Sequence, residues 1–300
     1  MTSLKGKTIG FIGLGLMGKP MAGNLHAAGA TMILHNRSQA VVEELCAKGM
    51  RAAATPAEVA AGVGEGGTII LSTPDTASVE KVLRGTPGDK NGVISGLQPN
   101  TLVIDMGTTK VTATRDFAKA VAAAGGVYID APVSGGSLGA EGGTLTIMVG
   151  GADEALKRAM PILNVLGQHI THIGAIGTGQ IAKAANQVIV GLTIGAVAEA
   201  LVLANKAGAD PARVRDALKG GFADSRILEV HGLRMIEEKF EPGGKCTTQR
   251  KDMDQAIELA AELGFKLPAT ALNRDLYDII IDAGLGDFDH SMLIKAIDPD

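Results

Sequence analysis

Residues 7–25 read KTIGFIGLGLMGKPMAGNL, and the reading of this stretch decides the fold. An apolar, β-branched run (Thr8, Ile9, Phe11, Ile12) ends in Gly13-x-Gly15-x-x-Gly18 and continues as a helical pattern. Each glycine has a mechanical job in a dinucleotide site. Gly13 permits a tight turn off a strand, Gly15 lets the backbone approach a pyrophosphate, and Gly18 lets helix pack closely on strand. The helix N-terminus, with Leu14, Leu16 and Met17 leading into it, offers unpaired N–H groups and partial positive charge to phosphates. A bare glycine triplet is weak in a chain with 41 glycines. A strand before it, a helix after it and a second strand at 31–35 strengthen it. The alternative is a glycine-rich turn in an α/β domain that holds no ligand.

Working outward, the first half alternates strand and helix. Short Ile- and Val-rich strands are expected at 8–12, 31–35, 68–73, 102–106, 127–133 and 145–149, with helices at 17–28, 39–47, 57–61, 77–83, 112–124 and 153–166. An edge strand is expected at 169–173, and 85–96 reads as a loop of low complexity. Such alternation specifies a mainly parallel sheet wrapped by helices. After Gly177 only helical patterns follow: 179–206, 211–218, 226–238, 247–263, 268–283 and 291–296. Pro211 suits a first helical turn, with Asp210 as its N-cap. The expected architecture is α/β: a Rossmann-type parallel-sheet domain over residues 1–177, joined by a long helix to an all-α domain over 178–300 for substrate binding and oligomerisation. The interdomain cleft is then the natural place for a substrate.

The composition narrows the function. Of 300 residues, 46% are hydrophobic and 20% charged, which excludes disorder. Aromatic content of 3% without tryptophan leaves little for base stacking, and a net charge of −4 gives no basic footprint for nucleic acid or acidic membranes. Cys46 and Cys246 have no metal or redox spacing. No signal-peptide pattern opens the chain, so a cytoplasmic location is expected. Residues 184–204 are apolar and long enough to span a bilayer, but Asn186, Gln187 and Glu199 suit a buried helix better.

The residue ending the second strand chooses the cofactor. An acid there would bind the adenine ribose hydroxyls and repel a 2′-phosphate. This chain has Asn36-Arg37-Ser38, which can pair or hydrogen-bond a phosphate, so NADP(H) is favoured and NAD(H) remains possible. Otherwise Arg37 is a solvated turn residue.

Three further blocks carry polar chemistry. In Asp130-Ala-Pro-Val-Ser-Gly-Gly136, Ser134 offers a hydroxyl and Gly135 and Gly136 offer unobstructed N–H groups, unless this is an ordinary turn. In Gly177-Thr-Gly-Gln-Ile-Ala-Lys-Ala-Ala-Asn-Gln187, Thr178 can cap a helix that carries Lys183, Asn186 and Gln187 on one face. Lys183 then either snorkels to the surface or serves as a general acid, with Asn186 and Gln187 orienting a substrate. Lys251-Asp252 reads by itself as an exposed charge pair.

The ordered motifs GxGxxGxP, DAPVSGG followed by GAEGGTLTIMVGG, GTGQIAKAANQ and RKDMDQAIELA resemble the β-hydroxyacid dehydrogenase family over essentially the whole chain. Within it, ANQVIVGLTIGAVAEAL, KAGADPARVRDALKGGFADSRILEVHGLRMI and DHSML are most similar to tartronate semialdehyde reductases. The resemblance implies a catalytic lysine at Lys183. It implies a grip on the substrate carboxylate by Ser134, Gly135 and Gly136 with Asn186 and Gln187. It also implies cofactor contacts at Thr73, Pro74, Thr108 and Lys251. No metal is implied. The implied reaction is hydride transfer between NAD(P)H and a semialdehyde, giving D-glycerate from tartronate semialdehyde, with a homodimer or homotetramer as the assembly. Alternatives are 3-hydroxyisobutyrate or another short β-hydroxyacid, and a non-catalytic dinucleotide-binding module. Gly107 stands where the family usually has Ser, and the GTPGDKNG stretch at 85–92 is longer than the usual turn.

Overall fold

The computed structural model describes residues 3–299. By packing the chain divides into two units, Met1–Lys183 and Ala184–Asp300. The division falls six residues beyond the expected 177/178 boundary and inside a helix.

In unit 1 the sheet strands are β1 (Thr8–Ile12), β2 (Thr31–His35), β3 (Arg51–Ala52), β4 (Thr68–Leu71), β5 (Leu102–Asp105), β6 (Val127–Asp130), β7 (Val133–Ser134), β8 (Leu145–Gly150) and β9 (Gly167–Gly174). Their helices are α1 (Gly18–Ala27), α2 (Gln39–Cys46), α3 (Pro56–Val63), α4 (Thr76–Arg84), α5 (Val93–Gly96), α6 (Val111–Ala123), α7 (Gly136–Gly142) and α8 (Asp153–Leu166). The strands run β3-β2-β1-β4-β5-β6-β8-β7, with β9 on the other side of β8. From β3 to β6 every pairing is parallel. This order reverses direction between β1 and β4, which creates the crevice where α/β sheets bind ligands.

Side chains alternate across the sheet, so its two faces build two cores. Ile9, Phe11, Leu34, Ile70 and Ile104 pack with α1, α2 and α8. Ile12, Ile33, Ile69, Leu71 and Val103 pack with α3, α4 and α6. Burial on both faces explains why these strands read as continuous apolar runs.

Two sequence expectations need correction. The strand expected over 127–133 breaks into parallel β6 and a short β7 antiparallel to β8. Pro132 has no N–H to donate, and a central ladder cannot run through it. The low-complexity loop at 85–96 contains the single-turn helix α5. The segment after Ser134, for which an ordinary turn was the alternative, opens α7. Helix α7 carries glycine at Gly136, Gly139 and Gly142, each costing about 1 kcal/mol against alanine. Burial of Gly139 and Ala140 offsets that, and the Asn24 side chain donates to the Ala140 and Glu141 carbonyls.

The long helix α9 (Thr178–Lys206) begins in unit 1 and ends in unit 2. Unit 2 also contains α10 (Pro211–Leu218), α11 (Arg226–Glu237), α12 (Cys246–Glu262), α13 (Pro268–Asp282), a 3₁₀ turn at His290–Leu293 and α14 (Ile294–Ile297). Asp210 caps α10 by accepting from the Ala212 N–H at 2.9 Å, as expected. Ile194, Val197 and Leu201 of α9 pack with Leu228, Met253, Tyr277 and Ile280 in a third core.

Asp289 fastens the C-terminal segment of this unit. Its carboxylate accepts from the Gly243, Gly244 and Ser291 N–H groups and lies 3.0 Å from Arg234. Burial pushes that carboxyl up, but the His231 and His290 rings and the Ser291 hydroxyl outweigh it and hold it far below the usual range. Breaking such a buried pair costs about 3–5 kcal/mol. His231, Asp289 and His290 are grouped closely enough to suggest a metal site, but the Asp289 oxygens are already spent on these donors.

Candidate active site

The β1–α1 turn has the geometry its glycines specify. Gly13 has φ +98°, and a Cβ there would lie 2.3 Å from the Ser72 carbonyl oxygen. A Cβ on Gly18 would lie 1.9 Å from the Gly13 carbonyl oxygen, so α1 could not approach the turn with any other residue. Gly15 is exposed, and a Cβ there would meet no atom within 4 Å. The space that glycine keeps open is therefore not filled by protein. Next to Gly13, where a Cβ would lie 3.3 Å from Thr73 Cγ2, Thr73 Oγ1 is buried without a hydrogen-bond partner. An open backbone face and an orphaned hydroxyl at the switch point fit a dinucleotide.

Asn36 and Arg37 have different jobs. Asn36 Oδ1 accepts from the Leu14 N–H at 3.0 Å, and its Nδ2 donates to the Ser38 carbonyl at 3.1 Å. The Asn36 side chain therefore braces the glycine turn. Arg37 and Ser38 are exposed, and Arg37 has no ion-pair partner among the described residues. Pro74 is exposed and Thr108 half-buried, on the loops that follow β4 and β5.

Gly107, in the loop after β5, has a steric reason to lack a side chain. A Cβ would lie 2.8 Å from the Thr73 carbonyl oxygen and 3.1 Å from Asp105 Oδ1. Its N–H donates to Asp105 Oδ1 at 2.9 Å, and the other Asp105 oxygen accepts from Tyr128 at 2.7 Å. Burial, then the Asp105 charge, push the Tyr128 hydroxyl well above its ordinary pKa.

The start of α9 is tied to the sheet by residues whose roles were not evident from the sequence. Asp130, at the end of β6, accepts from the Gly177 N–H at 2.7 Å and the Gln180 N–H at 2.9 Å. It supplies the cap that was expected from Thr178, whose hydroxyl instead donates to the Ala175 carbonyl at 2.8 Å. Burial pushes the Asp130 carboxyl up from its ordinary value, against the lowering by these N–H groups. Gln180 then fastens the β5 loop, donating to the Gly107 carbonyl and accepting from the Thr109 N–H. Only the motif DAPVSGG, with its acid ahead of the glycines, hinted at the Asp130 anchor.

This anchoring sets the position of Lys183, just under one turn beyond Gln180 on α9. The side chain does not snorkel. Lys183 is 7% exposed, and its Nζ donates to the Val133 carbonyl at 2.8 Å. Val133 directly precedes Ser134, so the structure brings together the lysine and the Ser134–Gly135–Gly136 segment. Gly135 and Gly136 have φ +129° and +61°, a backbone course that a side chain would strain. A cationic amine beside a hydroxyl and unobstructed N–H groups is a donor set suited to a small anionic substrate.

In unit 2, Gln187 faces α12. Gln187 is 7% exposed, and its Nε2 donates to Gln249 Oε1 at 3.1 Å and Asp252 Oδ2 at 2.6 Å. Asn186 Nδ2 donates to Gln187 Oε1 at 2.7 Å. Lys251 Nζ pairs with Asp252 Oδ1 at 2.8 Å. The exposed charge pair expected at Lys251-Asp252 is thus a correction: Asp252 is 3% exposed and serves a buried amide as well as the lysine. A carboxylate taken out of water needs such partners.

A family model for the NAD-binding domain of 6-phosphogluconate dehydrogenase matches residues 8–174. One described as NAD-binding of NADP-dependent 3-hydroxyisobutyrate dehydrogenase matches 177–297. The chain is 45% identical to 2-hydroxy-3-oxopropionate reductase of Escherichia coli, over 97% of each chain. It is 37% identical to 2-(hydroxymethyl)glutarate dehydrogenase of Eubacterium barkeri, over 96% of this chain and 93% of that one. A solved structure of Mycobacterium tuberculosis 3-hydroxyisobutyrate dehydrogenase with L-serine superposes with a TM-score of 0.86 at 30% identity, covering 97% of this chain and 99% of that one.

Proposed function

The chain belongs to the β-hydroxyacid dehydrogenase family, whose members use NAD(P), and we propose that it reduces 2-hydroxy-3-oxopropionate (tartronate semialdehyde) to D-glycerate with NADPH. The observation that carries this reading is the buried Lys183 amine held at the Val133 carbonyl, next to Ser134. The similarity to the Escherichia coli reductase supports the choice of substrate.

When bound, the nicotinamide supplies the hydride. Ser134 and the N–H groups of Gly135 and Gly136 hold the substrate carboxylate and so fix the aldehyde carbon. As that carbon is reduced, charge grows on its oxygen. Lys183 in its ammonium form stabilises the charge and donates the proton; in the oxidation direction the neutral amine takes it back. Asn186 and Gln187 contribute polar groups farther along α9. Residues 1–177 serve the dinucleotide through Gly13, Leu14, Gly15, Leu16, Met17, Gly18, Thr73, Pro74 and Thr108. Residues 178–300 serve substrate and assembly, with Lys251 reaching the cofactor. Arg37 and Ser38 take the 2′-phosphate and give the preference for NADP(H).

The proposed assembly is a homodimer or homotetramer in the cytoplasm. Helix α9 is long and apolar enough to cross a membrane by length and hydropathy, and only 39% of its most apolar window is buried. The expectation of a buried helix holds only for part of its surface, since Ile189 and Leu203 are 66% and 71% exposed. A second copy covering this stripe accounts for it. Free Cys46 and Cys246 agree with a reducing compartment.

The test is oxidation of NADPH, followed by its absorbance, with three aldehydes that differ at C2: 2-hydroxy-, 2-methyl- and unsubstituted 3-oxopropionate. The 2-hydroxy compound is expected to give the highest kcat/KM, with D-glycerate as product. A higher kcat/KM for the 2-methyl compound would assign the chain to 3-hydroxyisobutyrate chemistry instead.

A further inference from the structure

We propose that His231 and His290 form a binding site for a divalent transition-metal ion of the kind that favours imidazole nitrogen, such as Zn²⁺. The ion ties α11 to the C-terminal segment of unit 2. The site shares no residue with the surroundings of Lys183 and does not depend on the reaction proposed above.

The two rings meet at their Nε2 atoms. His231 lies on α11 and His290 opens the 3₁₀ turn, 59 residues further along the chain, yet these nitrogens are 3.3 Å apart. The rings stand at 87° to one another with centroids 4.5 Å apart, so they meet at an edge and do not stack. Two nitrogens in this position either share a proton or point both lone pairs at one cation. A separation of 3.3 Å is long for a hydrogen bond. Nitrogens held about 2.0–2.1 Å from a tetrahedral zinc ion are about 3.3–3.4 Å apart.

The surroundings prepare His231 as a ligand. Its Nδ1 lies 3.3 Å from Asp289 Oδ1. Asp289 can only accept, since the Ser291 N–H and hydroxyl meet Oδ1 while the Gly243 and Gly244 N–H groups and Arg234 meet Oδ2. A proton on Nδ1 is therefore the favoured tautomer, and the lone pair stays on Nε2. A carboxylate behind an imidazole orients it and raises its basicity toward a metal. Asp289, with its oxygens committed, is that outer partner and not a third ligand; water completes the coordination. The Arg234 cation, which would repel an ion, is drawn to the other carboxylate oxygen and to the Glu241 carbonyl.

His290 is fixed through its backbone, its N–H donating to the Gly244 carbonyl at 2.8 Å and its carbonyl accepting from the Tyr277 hydroxyl at 3.3 Å. The ring itself is only half-buried. Gly244 approaches it without a side chain: a Cβ there would lie 3.6 Å from Nε2 and crowd the approach of an ion. Ligand type, spacing, outer partner and access thus agree.

The test uses the full chain without a histidine tag. Calorimetry with Zn²⁺ on metal-free wild-type protein is expected to show one site per chain. His231→Gln and His290→Gln should each weaken it by about tenfold or more, whereas His169→Gln, on exposed β9, should leave it within about twofold. Zn²⁺ should raise the Tm of the wild type and not that of the first two variants. Cu²⁺ on the wild type should give an electron paramagnetic resonance spectrum with two coordinated imidazole nitrogens, a readout that requires no variant to fold. Absence of a one-to-one site, unchanged affinity in either the His231 or the His290 variant, or a copper spectrum without two imidazoles would overturn the proposal. None of these readouts involves turnover, so their failure leaves the reading of the active site intact.

Discussion

Replacing Lys183 by alanine is expected to lower turnover about a thousandfold while NADPH still binds. General acid catalysis contributes roughly 10²- to 10⁴-fold, and electrostatic stabilisation of a developing oxyanion about 10²- to 10³-fold. One amine performing both tasks places its loss in the upper part of that range. Lys183 is 7% exposed, fixed on the Val133 carbonyl, and set there by an α9 N-terminus that Asp130 holds through two backbone N–H groups. The variant also leaves the Val133 carbonyl short of a donor, at a cost of about 1–3 kcal/mol. Lys183→Met, which keeps the apolar stem, separates that stability loss from the chemical one. Both variants should show the same collapse in kcat, with the NADPH dissociation constant changed by no more than about twofold. Retention of most of the turnover would remove Lys183 from the reaction.

The second large effect is expected at Arg37. An arginine–phosphate pair is worth about 1.5–3 kcal/mol, but Arg37 is exposed and solvent screens part of that. Arg37→Ala should therefore lower kcat/KM for NADPH about tenfold and leave that for NADH within about twofold. Added salt should weaken NADPH binding in the wild type more than in the variant. Equal losses with both cofactors would mean that Arg37 supports the turn and not the 2′-phosphate. Asn36 is a poorer probe, because its side chain accepts from the Leu14 N–H and its substitution would loosen the glycine turn itself.

The features legible in the sequence were those that depend on neighbours along the chain. The apolar run of β1, the glycines of the turn and the periodicity of α1 are local, and the observed contacts of Gly13 and Gly18 repeat the reason for each glycine. The mainly parallel sheet could be read because alternating strand and helix allows few topologies. Lys183 stood out because a charge on an apolar helix requires an explanation. What stayed hidden is held by bonds between distant positions. Asp130 reaches Gly177 and Gln180 across 47 and 50 residues, and Gln187 reaches Asp252 across 65. Such pairs leave no period in the sequence. Lys251-Asp252 was misread for that reason, since an i,i+1 charge pair gives no sign that one member is buried under another helix. Helix α7 was hidden differently, because its three glycines carry the composition of a turn while tertiary packing makes them helical.

The central claim is that the Lys183 amine faces the oxygen that changes between carbonyl and hydroxyl. A crystal structure of the protein with NADP⁺ and D-glycerate tests it most directly. The account requires Lys183 Nζ within about 3.2 Å of the C3 hydroxyl oxygen, with the substrate carboxylate on Ser134 and the Gly135 and Gly136 N–H groups. A complex in which the amine stays on the Val133 carbonyl and another side chain meets that oxygen would contradict it.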